Sequence, residues 1–170
     1  MANSLAESFS FEQFRKLLIQ WVVHDNIAFK KVESTRFQQL VTYLQPKVTF
    51  PRRNTLRQWI LHEYLIHKET VIQQLQRSLG QIHVSFDLWT SRSNILALNG
   101  IVAHYITNGT PKSILLALPE QNEAHTGANI AVEVLRVIHE FKINTRIGYF
   151  VLDNASNNDT CMRELAEELG

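Results

Sequence analysis

Little in this sequence invites covalent chemistry. Its 170 residues include a single cysteine, Cys161. That excludes an internal disulfide framework and any Cys-rich zinc site, and it suits a reducing compartment. Cys161 has no evident base beside it and reads as a buried, inert thiol rather than a nucleophile. The longest apolar runs are too short to cross a bilayer. The N-terminus, MANSLAESFSFEQF, has no basic stretch followed by an apolar one, so no secretory signal is expected. No GxGxxG or GxxxxGK[ST] loop is present to cradle phosphate, and HExxH and GxSxG are absent too. Internal repeats and low-complexity stretches are also lacking. The expected location is cytosol or nucleus.

What is present is a globular composition. Hydrophobic residues make up 45% and charged residues 19%, enough for one sizeable core, or for a helical segment plus most of a second domain. The net charge of +1 is unevenly spread. Residues 1–80 carry eleven Lys/Arg against six Asp/Glu, and residues 81–170 carry six against ten. A basic first half suits a polyanion and a more acidic second half suits cations, although ordinary fluctuation accounts for the split about equally well.

Residues 1–80 read as helices. Ser10 and Gln13 fit a capping box, followed by Phe11, Phe14, Leu17, Leu18, Trp21 and Val22 at helical spacing. A second helix is predicted from Ser34, with Phe37, Leu40, Val41 and Leu44 inward, stopping before Pro46. A long third helix is predicted with Asn54 as cap and Gly80 as the residue just past its end. At residue 81 the period changes. Ile82, Val84 and Phe86 alternate with His83, Ser85 and Asp87, as in a strand. Residues 95–106 and 113–118 read as two more strands, with a turn at Thr107-Asn108-Gly109-Thr110-Pro111 between them. Residues 125–141 read as a helix with Thr126 as its cap, 147–152 as an apolar fourth strand, and the remainder as a final helix. The fold class predicted is α/β: an incomplete mixed sheet, βββαβα, preceded by an all-helical segment. The helical crossover before the fourth strand permits it to lie parallel to the first.

Two carboxylates occupy matching places. Asp87 ends the first strand in HVSFDLWTS, and Asp153 ends the fourth in YFVLDNASNN. On neighbouring strands both acids enter the crevice outside the carboxyl ends, where open α/β sheets bind ligands. Two close carboxylates repel unless cations share the site. Magnesium is the natural partner, since it takes hard oxygen ligands and often only one or two protein carboxylates plus phosphate. Two such ions can serve phosphoryl transfer. Taken singly, an aspartate at such a turn is more often an N-cap; the matched pair favours a site. A haloacid-dehalogenase-like phosphatase needs a second Asp two residues after the first, where Trp89 stands. Trp89, His125 and Asn154 are site neighbours by position. A packed core tryptophan and a surface-turn histidine are the plainer readings of the first two.

The stretch FDLWTS, with GIVAHYI after it, resembles the first catalytic motif of hAT (hobo/Activator-type) DNA transposases, and LDNASNN resembles the second. PKSILLAL and HTGANIAVEVL resemble the strand and helix between them. FRKLLIQWVVHDNIAF and TLRQWI resemble the helical region ahead of the core, and fungal members look nearest. The resemblance covers nearly the whole chain. It implies an RNase H-like core at 81–170 behind a helical DNA-binding and packing region at 1–80. It also implies DDE chemistry, with Asp87 and Asp153 as catalytic, metal-binding carboxylates for Mg2+ or Mn2+. On that chemistry one strand is hydrolysed at the element's end, and the freed 3′-hydroxyl attacks the opposite strand and then a target. Arg52, Arg53 and Arg57 are the candidate phosphate contacts, with solvation of a helix start as the equal alternative.

The family's catalytic Glu, helical insertion and dimerisation region are expected beyond Gly170. Glu164, Glu167 and Glu168 follow Asp153 too closely to replace that Glu and read as a solvated helix face. The chain therefore reads as an N-terminal fragment, inactive alone. Expected partners are transposon ends, target DNA and another copy of itself, in the nucleus, with no membrane and no small-molecule cofactor. The competing readings are a domesticated DNA-binding or protein-interaction module without catalysis, and an unrelated metal-dependent nuclease or phosphatase.

Overall fold

The computed structural model describes residues 9–92, 96–121, 126–153 and 158–170. The chain divides into two compact units, Met1–Lys68 and Glu69–Gly170.

The first unit is helical. Helix α1 (Phe11–His24) starts at Ser10, whose hydroxyl accepts the Gln13 N–H at 3.2 Å. Leu18, Ile19 and Val22 form its buried stripe. Leu17, expected inward, faces solvent, and Ile19 takes the inward place. A 3-10 turn, Phe29–Glu33, inserts the fully buried Val32. Helix α2 (Thr35–Leu44) starts beside Ser34 as expected, and the Ser34 hydroxyl accepts the Phe37 N–H. It buries less than its pattern suggests: Leu40 and Leu44 are exposed, while Phe37 stacks on Trp21 at 5.3 Å. Helix α3 (Arg53–Gln76) begins one residue before the Asn54 cap expected. The Arg53 N–H donates to the Glu33 carboxylate at 2.9 Å. A distant acid thus meets the positive helix terminus in place of a local cap. Leu56 of α3 completes the core of this unit.

The second unit opens on the last turns of α3, where Ile72 and Leu75 enter its core. The helix stops at Gln76 rather than running to Gly80, and strand β1 (Leu79–Thr90) already contains Gly80, at φ +72°. The physical reason lies far along the chain. The Arg146 guanidinium donates to the carbonyls of Leu75, Gln76, Ser78 and Gly80, with distances of 3.1 Å to Leu75, 2.7 Å to Ser78 and 2.8 Å to Gly80. Helix-terminal carbonyls lack intrahelical donors and carry partial negative charge. One cation with a fork of N–H groups satisfies them and turns the chain into the sheet.

Strands β2 (Ala97–Thr107) and β3 (Thr110–Ala117) follow β1 as an antiparallel meander. Asn108 and Gly109, both at positive φ, make the two-residue turn that the sequence marks. Helix α4 (Gly127–Glu140), capped by Thr126, crosses over to strand β4 (Ile147–Val151), and helix α5 (Asn158–Leu169) closes the order. The sheet runs β3-β2-β1-β4, with β4 parallel to β1. The mixed βββαβα sheet expected from the sequence is present. One face packs on a core that includes Ile82, Val84, Ile101, Val134, Ile138 and Leu165. Leu115, Tyr149 and Val151 are exposed.

Two outcomes test this packing. Replacing Arg146 with Met keeps the apolar stem and removes the donors. Urea denaturation should show a loss of about 2–3 kcal/mol, the scale of charge-assisted hydrogen bonds left unmade. No change would mean that water replaces the guanidinium at no cost. Cys161 is fully buried, and desolvation pushes its thiol up to about 11. A thiol-specific reagent at pH 8 should therefore label it at least ~100-fold more slowly than the urea-unfolded chain. Equal rates would contradict the burial.

Candidate active site

The site follows from strand alternation. On β1, Ile82, Val84 and Phe86 are buried against the helices, which turns His83, Ser85, Asp87 and Trp89 to the other face. On β2 the odd residues Ala97 to Tyr105 are buried, which leaves Leu98, Gly100, Val102 and His104 on the same open face. Ser85 is level with Val151 across the parallel pair. Asp87 and Asp153 each follow that pair by two residues. Both acids are exposed and line one cleft of about 560 Å³ at the carboxyl ends of the two strands. Gly100, the β2 partner of Asp87, leaves the floor of the cleft bare. Trp89, Leu98, Leu118 and Val151 supply apolar walls.

Each acid has a distinct setting. Asp153 is tied to the start of α5, where Asn158 Nδ2 donates to its Oδ1 at 2.8 Å and to its carbonyl at 2.7 Å. Beside Asp87, a polar chain crosses three strands: Ser85 Oγ lies 2.8 Å from His104 Nε2, and Ser113 Oγ lies 2.8 Å from His104 Nδ1. The Ser85–His104–Ser113 chain escapes a reading by motif. Period-two alternation, which already sets Ser85 on the face of Asp87, is the signal that finds its first member.

The structure brings Asp87 and Asp153 together and adds Trp89. The expectation of a packed core tryptophan is corrected, because Trp89 is 56% exposed at the cleft. Its position on β1 sets it on the open face with Asp87, opposite the face that carries Phe86 into the core. His125 and Asn154 lie outside the described residues. Arg52, Arg53 and Arg57 are exposed at the start of α3, in the first unit. Among the described residues no group of three or more His, Cys, Asp or Glu side chains could hold a metal ion. Of the residues lining the cleft, Asp87 and Asp153 carry carboxylates, a hard-oxygen pair.

Comparison with known proteins gives the same frame. A family model described as the ZBED1 RNase-like domain matches residues 85–170. A protein of Talaromyces stipitatus named as a transcriptional regulator, tpeD, is 28% identical over 164 residues, covering 89% of this chain and 18% of its own length. Two Zea mays proteins named as AC and AC9 transposases are each 24% identical over 170 residues, covering 98% of this chain and 21% and 20% of theirs. The chain thus spans about one fifth of the length of these relatives. Half of the chain answers to the family model and nearly all of it aligns with Ac-type transposases, so the chain belongs to the ZBED1 RNase-like domain family and is an hAT-transposase-like protein with an RNase H-like fold.

Proposed function

We propose that the cleft is the metal-binding half of a DNA strand-cleavage and strand-transfer site, and that the helical unit contributes contacts to the DNA backbone. The observation that carries the reading is the placement of Asp87 and Asp153 on one cleft at the ends of adjacent parallel strands. The donor set fits Mg2+ or Mn2+, which accept two carboxylates and complete their shells with water and phosphate oxygen. Divalent cations held there would polarise a phosphodiester and stabilise charge on the attacking and leaving oxygens. The reaction adds water across a P–O3′ bond and leaves a 3′-hydroxyl and a 5′-phosphate. The chain's own part is positional. Asp87 and Asp153 supply the anionic oxygens, Asn158 fixes the second of them, and the exposed Trp89 ring offers a face for an unstacked base. Arg52, Arg53 and Arg57 offer phosphate contacts of the sequence-independent kind.

A nuclear place of action goes with a DNA substrate, and the relatives named as transposases and as a transcriptional regulator support it. Self-association belongs to the same reading. No helix among the described residues is long and apolar enough to cross a membrane. The relative named as a transcriptional regulator favours a second reading, in which the fold is kept for DNA or protein binding and cleavage has been lost.

The two readings separate on the carboxylates. If the site handles metal, Asp87→Asn should weaken Mn2+ binding by more than about tenfold, since loss of a ligand outweighs loss of a supporting contact. The same change should abolish any Mg2+- or Mn2+-dependent plasmid nicking, and nicking that survives it refutes the role given to Asp87. DNA binding with no measurable Mn2+ binding in the unaltered protein favours the second reading. For the helical unit, replacing Arg52, Arg53 or Arg57 with Gln should weaken binding equally across DNA sequences. Each change should lower the slope of log affinity against log salt by about one. An unchanged slope assigns these arginines to solvation alone.

A further inference from the structure

The pairing of β1 with β4 contains a one-residue irregularity. Ile82 is level with Ile147, but Val84 is level with Phe150 and Ser85 with Val151. Gly148 and Tyr149 therefore face His83 alone, a bulge on β4. Its effect is one of parity. Ile147, Phe150 and Leu152 all pack against the helix-covered core. With strict alternation from Ile147, the inward residues would be Tyr149, Val151 and Asp153, and Phe150 and Leu152 would face out. The extra residue reverses this from Phe150 onward, which carries Asp153 to the face of Asp87.

The bulge is filled by one side chain. The Tyr149 N–H donates to His83 Nδ1 at 3.0 Å. The two rings stack at 5.3 Å and 15°. The imidazole also lies over Gly148, where a Cβ would come within 2.7 Å of its Cε1 and Nδ1. Three features thus meet at one residue: an acceptor for a bulge amide, an aromatic lid, and a glycine with room for nothing larger. Because Nδ1 accepts, the ring proton resides on Nε2.

We infer that His83 is a positioning residue, plugging the β4 bulge so that Asp153 is presented on the same face as Asp87. The claim rests on the metal-binding reading of that pair, and its test keeps the two apart. His83→Phe retains the ring and the stacking but removes the acceptor. His83→Asn retains an acceptor near the position of Nδ1. Amide hydrogen exchange reads the plug directly. In His83→Phe the Tyr149 amide should exchange at least ~10-fold faster, while the Val134 amide in α4 stays protected and reports an intact core. In His83→Asn the protection of Tyr149 should be largely kept. Mn2+ titration reads the consequence, with affinity falling at least ~5-fold in His83→Phe and staying within about twofold in His83→Asn. Gly148→Ala should mimic His83→Phe in both measurements, because the new Cβ drives the imidazole off the Tyr149 amide.

Unchanged Tyr149 exchange in His83→Phe overturns the plug. Faster exchange with unchanged Mn2+ affinity overturns the positioning role and leaves the metal reading intact. Absence of Mn2+ binding in the unaltered protein sinks the metal reading, and the positioning claim with it, whatever the exchange shows. If His83→Phe loses the Val134 protection as well, the comparison of Gly148→Ala with His83→Asn decides the matter by the same two measurements.

Discussion

The parallel pairing of β1 with β4 is the constraint on which the rest depends. Parallel neighbours cannot be joined by a tight turn, so the chain must travel through β2, β3 and α4 before it returns beside β1. That route buries the inner face of the sheet and leaves the carboxyl ends of β1 and β4 side by side. Two acids separated by 66 residues in sequence come to line one cleft because of one stretch of ladder. Arg146 anchors the same junction from the other end. It stands immediately before β4 and binds four carbonyls between the end of α3 and the start of β1. The strand that carries Asp153 is thereby tied to the segment that leads into Asp87, through a cation that a reading of local propensity has no reason to single out.

Much of this architecture was legible because its signals are local. Alternation in residues 82–87 fixed both the strand and the face of Asp87. Ser10 and Thr126 accept N–H groups as their positions suggested, and Asn108-Gly109 made the expected turn. What escaped depends on distant partners. The start of α3 is set by Glu33 rather than Asn54, and its end by Arg146 rather than Gly80. Leu40 and Leu44 follow helical spacing yet stay exposed, because spacing shows which residues share a face and not what covers it.

At the cleft, the two aspartates were legible as ends of apolar strands, and the family motifs reinforced them. The bulge at Gly148 and Tyr149 was not. IGYFVL reads as an unbroken apolar run, which carries no parity information. The polar chain from Ser85 through His104 to Ser113 also needs the β1–β2–β3 register before its members can be seen to meet. Trp89 shows the converse. A large aromatic is a fair guess for a core, but strand alternation sets it on the open face with Asp87, where it becomes part of the cleft.

The central claim is that Asp87 and Asp153 act on the same cations. A crystal of this chain soaked in Mn2+, with anomalous difference density, tests it most directly. The account predicts an anomalous peak at the mouth of the cleft within coordination distance of oxygens from both carboxylates, about 2.2 Å for an ion of this class. Manganese bound by one aspartate with the other turned away, or found only elsewhere on the protein, would contradict it.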